Sequence, residues 1–135
     1  MPILSVQDVT VQFGGLKAND NISFDVQAGS IFAVIGPNGA GKTTLFNVIS
    51  GFFQPTEGQV FFNGCSLAGL AQHEVSSRGL VRTYQLVQLF NDLTVLENVK
   101  IGCHRVTSGG ILASLLRPRW MKDQEKSVEE KALSC

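Results

Sequence analysis

Residues 30–44 read SIFAVIGPNGAGKTT, and this stretch decides the fold. Ile31 to Ile35 form an unbroken apolar run, whereas a half-exposed strand would alternate. Such a run predicts a strand over Ser30–Ile35 buried on both faces, as in a parallel sheet covered by helices. Gly36, Gly41, Lys42 and Thr43 then satisfy G-x-x-x-x-G-K-[ST]. At average residue usage those four fixed positions would coincide about once in a few hundred chains of this length. A helix is predicted from Lys42 to about Ser50, because Leu45, Val48 and Ile49 fall at i, i+3 and i+4 and Gly51 supplies a stop.

The order strand, glycine-rich loop, helix is what anion binding through backbone amides demands. Glycine lets the loop Gly36, Pro37, Asn38, Gly39, Ala40 and Gly41 wrap closely, so that successive N–H groups face phosphate oxygens. The helix N-terminus adds unsatisfied donors and partial positive charge. Lys42 brings a full charge toward the β- and γ-phosphates of a nucleotide. Thr43 offers a hydroxyl to Mg²⁺ bridging them, with Thr44 beside it. These residues predict a P-loop that holds ATP with Mg²⁺. The competing reading is a glycine-rich turn followed by an exposed lysine.

Working outward, apolar residues alternate at Leu4 and Val6, then at Val9, Val11 and Phe13. This predicts a strand over Ile3–Phe13 interrupted near Gln7–Asp8. Gly14–Gly15 punctuates it, and Ile22, Phe24 and Val26 predict a second strand. Pro55–Gly58 has turn chemistry, and Gln59–Phe62 returns as a strand. A short helix is expected over Ala71–Arg78 and a strand over Leu80–Thr83. Thr94 and Glu97 have capping-box spacing, so a helix starts there. Glycines and Pro118 predict an irregular stretch over 107–119. The tail from Met121 is charged and helix-favouring, with a sparse stripe of Val128, Ala132 and Leu133.

Composition narrows the class. The 135 residues are 44% hydrophobic, which fits one folded domain rather than general disorder. Eleven basic residues balance eleven acidic ones, so charge gives no reason to expect a nucleic-acid partner. Cys65, Cys103 and Cys135 are odd in number and lack CxxC spacing, which argues against a disulfide framework or zinc site and favours a reducing compartment. The N-terminus lacks the pattern of a signal peptide. No apolar run reaches the ~20 residues of a membrane-spanning helix. His73 and His104 have no ligand spacing and receive no role.

The N-K-x-D and D-x-x-G motifs of guanine-specific GTPases are absent. The stretch FGGLKANDNISFDVQAGSIFAVIGPNGAGKTTLFNVISGFFQPTEGQVFFNG, continued by RTYQLVQLFNDLTVLENVKIG, resembles the amino-terminal part of an ABC transporter ATP-binding subunit. Within that family it looks closest to subunits of bacterial branched-chain amino acid importers. The resemblance implies an α/β P-loop nucleotide triphosphate hydrolase fold in its N-terminal portion. Residues 1–93 would hold the antiparallel β subdomain, P-loop core and Q-loop, with an incomplete parallel core sheet. Residues 94–135 would begin the helical subdomain.

Roles follow by position. Phe13 stands where the family places an aromatic ring that stacks on adenine; the alternative is a strand-end core phenylalanine. Gln85 matches the Q-loop glutamine, a catalytic residue that ligates Mg²⁺ or orients water; without the resemblance it is an ordinary loop residue. Leu86–Leu93 is where such subunits meet transmembrane permease subunits, unless it is a loop packed on its own core. A second ATP-binding subunit would complete a dimer. The place implied is peripheral, on the cytoplasmic face of the bacterial inner membrane.

The family's Walker B strand ending in Asp-Glu, its LSGGQ-type signature and its switch histidine are not identifiable. Thr107–Gly110 has Ile111 where the signature needs a polar residue and comes too early, so it reads as an insertion loop. The chain therefore reads as the first half of a longer subunit, able to bind nucleotide but turning it over poorly or not at all. The alternatives are a catalytically inactive module that occupies nucleotide or a partner subunit, and, further off, another P-loop NTPase or kinase.

Overall fold

Leu4 and Val6 occupy even positions, whereas Val9 and Val11 occupy odd ones. One extra residue must therefore intervene if all four are to face the same side. The computed structural model, which describes residues 1–84, 89–102, 126–130 and 132–133, shows how this is done. Strand β1 spans Leu4–Phe13, and its pairing shifts between Val6 and Val9, with Asp8 at φ 50°. The bulge is tied to the neighbouring strand. The Asp8 amide donates to Ser23 Oγ at 2.8 Å, and that hydroxyl donates to Asp8 Oδ1 at 2.8 Å. Val6, Val9 and Val11 end on one face, each at most 2% exposed.

Around β1 the sheet is antiparallel, in the order β2-β1-β3-β4. Strand β2 covers Leu16–Val26, β3 Glu57–Phe62 and β4 Cys65–Ser66. β2 starts six residues before the expected Ile22, because hairpin pairing with β1 (Phe13 opposite Leu16, Gln12 opposite Lys17) recruits a polar stretch that carries no apolar signal. β3 likewise extends back to Glu57.

Helix α1 (Lys42–Ile49) buries Leu45, Val48 and Ile49, the predicted stripe. Its end is defined by hydrogen bonds. The Gly51 amide donates to the Val48 carbonyl at 3.0 Å and the Phe52 amide to the Asn47 carbonyl at 2.9 Å, the paired pattern that needs a left-handed residue after the cap. Gly51 supplies it at φ 74°. Helix α2 (Gln72–Ser77) sends Val75, fully buried, into the same core as Val60, Phe62 and Leu67. Burying a valine of this kind contributes about 1.5–3 kcal/mol before entropic costs.

The predicted buried strand over Ser30–Ile35 does not form, and no parallel strand pair occurs among the described residues. Its side chains nevertheless differ in what they meet. Phe32 stacks on Phe24 at 4.9 Å between ring centroids, and Val34 packs against the core. Ile31 and Ile35 are 101% and 89% exposed. A two-faced strand needs neighbours on its ladder, and no described strand pairs with this one. Leu80–Thr83 departs from expectation for the same reason: Leu80 packs on the core, Val81 faces outward, and no ladder forms.

The chain divides into two compact units, Met1–Thr83 and Tyr84–Cys135. In the second, helix α3 (Val95–Gly102) begins as its sequence requires. The Thr94 amide donates to Glu97 Oε2 at 2.7 Å, and the Glu97 amide donates back to Thr94 Oγ1 at 3.3 Å. The tail is helical at 126–130 and 132–133. Val128 and Ala132 are buried there, but Leu133 is exposed. The expectations for 107–119, Cys103, His104 and Cys135 lie outside the described residues.

Candidate functional site

Residues 36–41 form the loop that leads into α1. Lys42, the first residue of α1, turns its ammonium back over the loop. It donates to the carbonyl oxygens of Gly36 at 2.7 Å and Pro37 at 2.6 Å. The Ala40 amide donates to the Pro37 carbonyl at 3.3 Å, which tightens the bend between them. Gly41 is the N-cap in the left-handed region, φ 78°. It lies so close to β2 that a Cβ there would strike the Ala18 carbonyl oxygen and come within 2.7 Å of Asn19 Nδ2.

The end of α1 fits an anion. Its first internal bond runs from the Leu45 amide to the Gly41 carbonyl at 2.9 Å, so the amides of Lys42, Thr43 and Thr44 precede the helical ladder. No side chain caps this terminus and no acidic residue sits in its first turn. The aligned peptide dipoles thus present partial positive charge with no carboxylate of the helix's own first turn beside it. Thr43 is exposed at the same end. Among the described residues no group of three or more His, Cys, Asp or Glu is placed to hold a metal ion. A magnesium ion here would be held through Thr43 and the phosphates, the ordinary arrangement for a nucleotide site.

Phe13 ends β1 with its ring 53% exposed, meeting Phe53 edge to face at 5.7 Å. It is therefore a surface ring and not a core one. Gln85, with Leu86 to Gln88, lies outside the described residues. Leu89, Phe90 and Leu93 are exposed. With Val95, Val99 and Ile101 they line an open apolar groove of about 450 Å³. Cys65 is an exposed free thiol, and His73 lies on α2 remote in sequence from the loop.

Two arrangements escaped the sequence reading. Asn19, only 7% exposed in β2, donates from Nδ2 to the Gly41 carbonyl at 3.3 Å. Arg82 donates from Nη1 to Asn47 Oδ1 at 2.5 Å, its guanidinium carbon 5.9 Å from the centre of the Phe46 ring on α1. Asn19 carried a faint signal, since it faces Val11 across the hairpin, where an apolar partner is the ordinary choice.

A comparison with family models matches residues 19–134 to the model described as ABC transporter. The chain belongs to the ABC transporter family. It is 40% identical over 129 residues to the high-affinity branched-chain amino acid transport ATP-binding protein BraF of Pseudomonas aeruginosa, covering 95% of this chain and 51% of that protein. With its Escherichia coli K12 counterpart LivG it shares 38% over 132 residues, covering 97% and 52%. Among solved structures, a nucleotide-free ATP-binding cassette from an ABC transporter superposes with a TM-score of 0.73 at 39% identity, over 96% of this chain and 51% of that one. The chain spans about half the length of the curated relatives it matches. Its fold is the N-terminal part of an ABC ATPase, which decides against a kinase or another P-loop architecture. Family membership implies nucleotide binding. No helix among the described residues is long and apolar enough to cross a membrane.

Proposed function

We propose that this chain is the ATP-binding portion of an ABC transporter ATPase subunit that energises uptake of branched-chain amino acids. The observation that carries the reading is the uncapped start of α1, folded under a loop that Lys42 closes. In this role the backbone N–H groups of the loop and of the first turn of α1, among them those of Lys42, Thr43 and Thr44, surround the phosphate chain. Lys42 exchanges its loop carbonyls for β- and γ-phosphate oxygens, so that its ammonium pairs with a full negative charge in place of a carbonyl dipole. Thr43 ligates Mg²⁺, which supplies charge neutralisation at the phosphates. Phe13 offers its exposed face to adenine. Gln85 serves the metal or the attacking water.

The relatives are named for branched-chain amino acid transport, and this supports the substrate class. The apolar groove from Leu89 to Ile101 is the kind of surface a transmembrane permease subunit would cover, on the cytoplasmic face of a bacterial inner membrane, with a second ATP-binding subunit opposing the first. Deleting the gene tests the proposal. Uptake of labelled leucine, isoleucine and valine should fall while that of an unrelated amino acid persists; unchanged uptake of all three overturns it. Phosphate release measured beside a nucleotide titration separates an ATPase from a module that only binds.

A further inference from the structure

We infer that Asn19 is a positioning residue of the phosphate cradle, orienting the peptide between Gly41 and Lys42 from the sheet side. The inference rests on the reading of residues 36–44 as a nucleotide phosphate site. Its starting point is one atom: Asn19 Oδ1 is buried and accepts no hydrogen bond among the described residues. The other end of the amide, Nδ2, donates to the Gly41 carbonyl at 3.3 Å. A leucine has the same shape and would leave no buried acceptor unmet. What the asparagine adds at this position is therefore its donor.

That donor acts on the amide next door. The Gly41–Lys42 peptide is trans, as no cis peptide bond is present among the described residues, and a planar trans peptide points its C=O and N–H in opposite directions. Two donors hold the carbonyl oxygen, the Leu45 amide along the helix and Asn19 Nδ2 from β2. Fixing that oxygen toward the helix body turns the Lys42 N–H outward, to the uncapped end where an anion would sit. Gly41 packs against Ala18 and Asn19 with no room for a Cβ, so the peptide has little freedom to tilt once the bond is made. Preorganised amides bind an anion without first being reoriented. Asn19 therefore acts through the peptide and need not touch the nucleotide.

The test uses the full chain, its Asn19→Leu variant and, as a second variant that adds no bulk, Asn19→Ala. Each is titrated with MgATP and with magnesium pyrophosphate, and its melting temperature is measured without ligand. Both ligands should bind the variants about 3- to 10-fold more weakly, the range one oriented hydrogen bond supports. The two factors should agree, because only the phosphates are involved. Asn19→Leu should melt no lower than wild type. Wild-type affinity in both variants overturns the inference. So does a loss of affinity that merely follows a fall in melting temperature, which marks a structural residue. If the folded wild type binds neither ligand, the phosphate reading itself fails and carries this inference with it.

Discussion

The ammonium of Lys42 lies 2.7 Å from the carbonyl oxygen of Gly36, so the first residue of α1 is bonded to the first residue of the loop that precedes it. A lysine satisfied in this way holds the loop closed around its own charge. An incoming phosphate must displace neutral carbonyls and offers a charged acceptor in return. The energetic preference runs toward the phosphate, and the loop is already shaped when it arrives.

Gly41→Ala should be far more damaging than its size suggests. The residue sits at φ 78°, and its Cβ would enter the Ala18 carbonyl and Asn19. Left-handed strain and collision together should cost about 3 kcal/mol. Thermal unfolding of the variant would show a clear drop in melting temperature, and an unchanged one would contradict the placement of β2 against the loop.

Phe13→Ala should discriminate between ligands. An exposed ring that stacks on adenine contributes to MgATP but nothing to magnesium pyrophosphate. The variant should bind MgATP about 3- to 10-fold more weakly, as expected for one aromatic contact, and pyrophosphate normally. Equal affinities for MgATP in variant and wild type would remove Phe13 from the site.

Acid should loosen the start of α3. The hydrogen bonds from Thr94, side chain first and then backbone, hold the Glu97 carboxyl below its ordinary value, and Lys100 adds to the effect. A depressed folded value means the cap is fully present above the ordinary glutamate range and is lost as pH falls through the folded value. An NMR titration should place the Glu97 midpoint below that of a model glutamate. Glu97→Gln, which keeps the acceptor but cannot titrate, should abolish the acid dependence of helicity at 95–98. A midpoint at or above the ordinary value would contradict the cap.

Ile31 and Ile35 should limit solubility. Both are almost wholly exposed on the bare side of a segment whose other side is packed, a template for association between chains. Replacing both with threonine should raise the onset of light scattering while leaving the melting temperature within a few degrees. Unchanged aggregation would show that this face is not the sticky one.

Local rules made much of this structure legible in the sequence. The shift from even to odd apolar positions between Val6 and Val9 announced the bulge at Asp8, and Leu45, Val48 and Ile49 gave the helix its face. Thr94 and Glu97 marked a cap that both side chains make. The loop residues pointed to a phosphate cradle because a tight bend needs glycine where the backbone is left-handed or closely packed, as at Gly41. What remained hidden depends on partners distant in the chain. The polar start of β2 is a strand because β1 pairs with it. Ser30–Ile35 has the composition of a central strand but no described ladder neighbour, and composition cannot supply one. Asn19 gave only a faint hint, because its role is set by how closely Gly41 approaches it across 22 residues of sequence.

The most direct test is calorimetric titration of MgATP into the folded chain and into Lys42→Ala. Wild type should bind below about millimolar, and the variant should lose about 10- to 100-fold in affinity, as expected for one charged hydrogen-bonding partner. No heat with the folded wild type, or the same affinity in both proteins, would contradict the assignment of this loop to nucleotide phosphates.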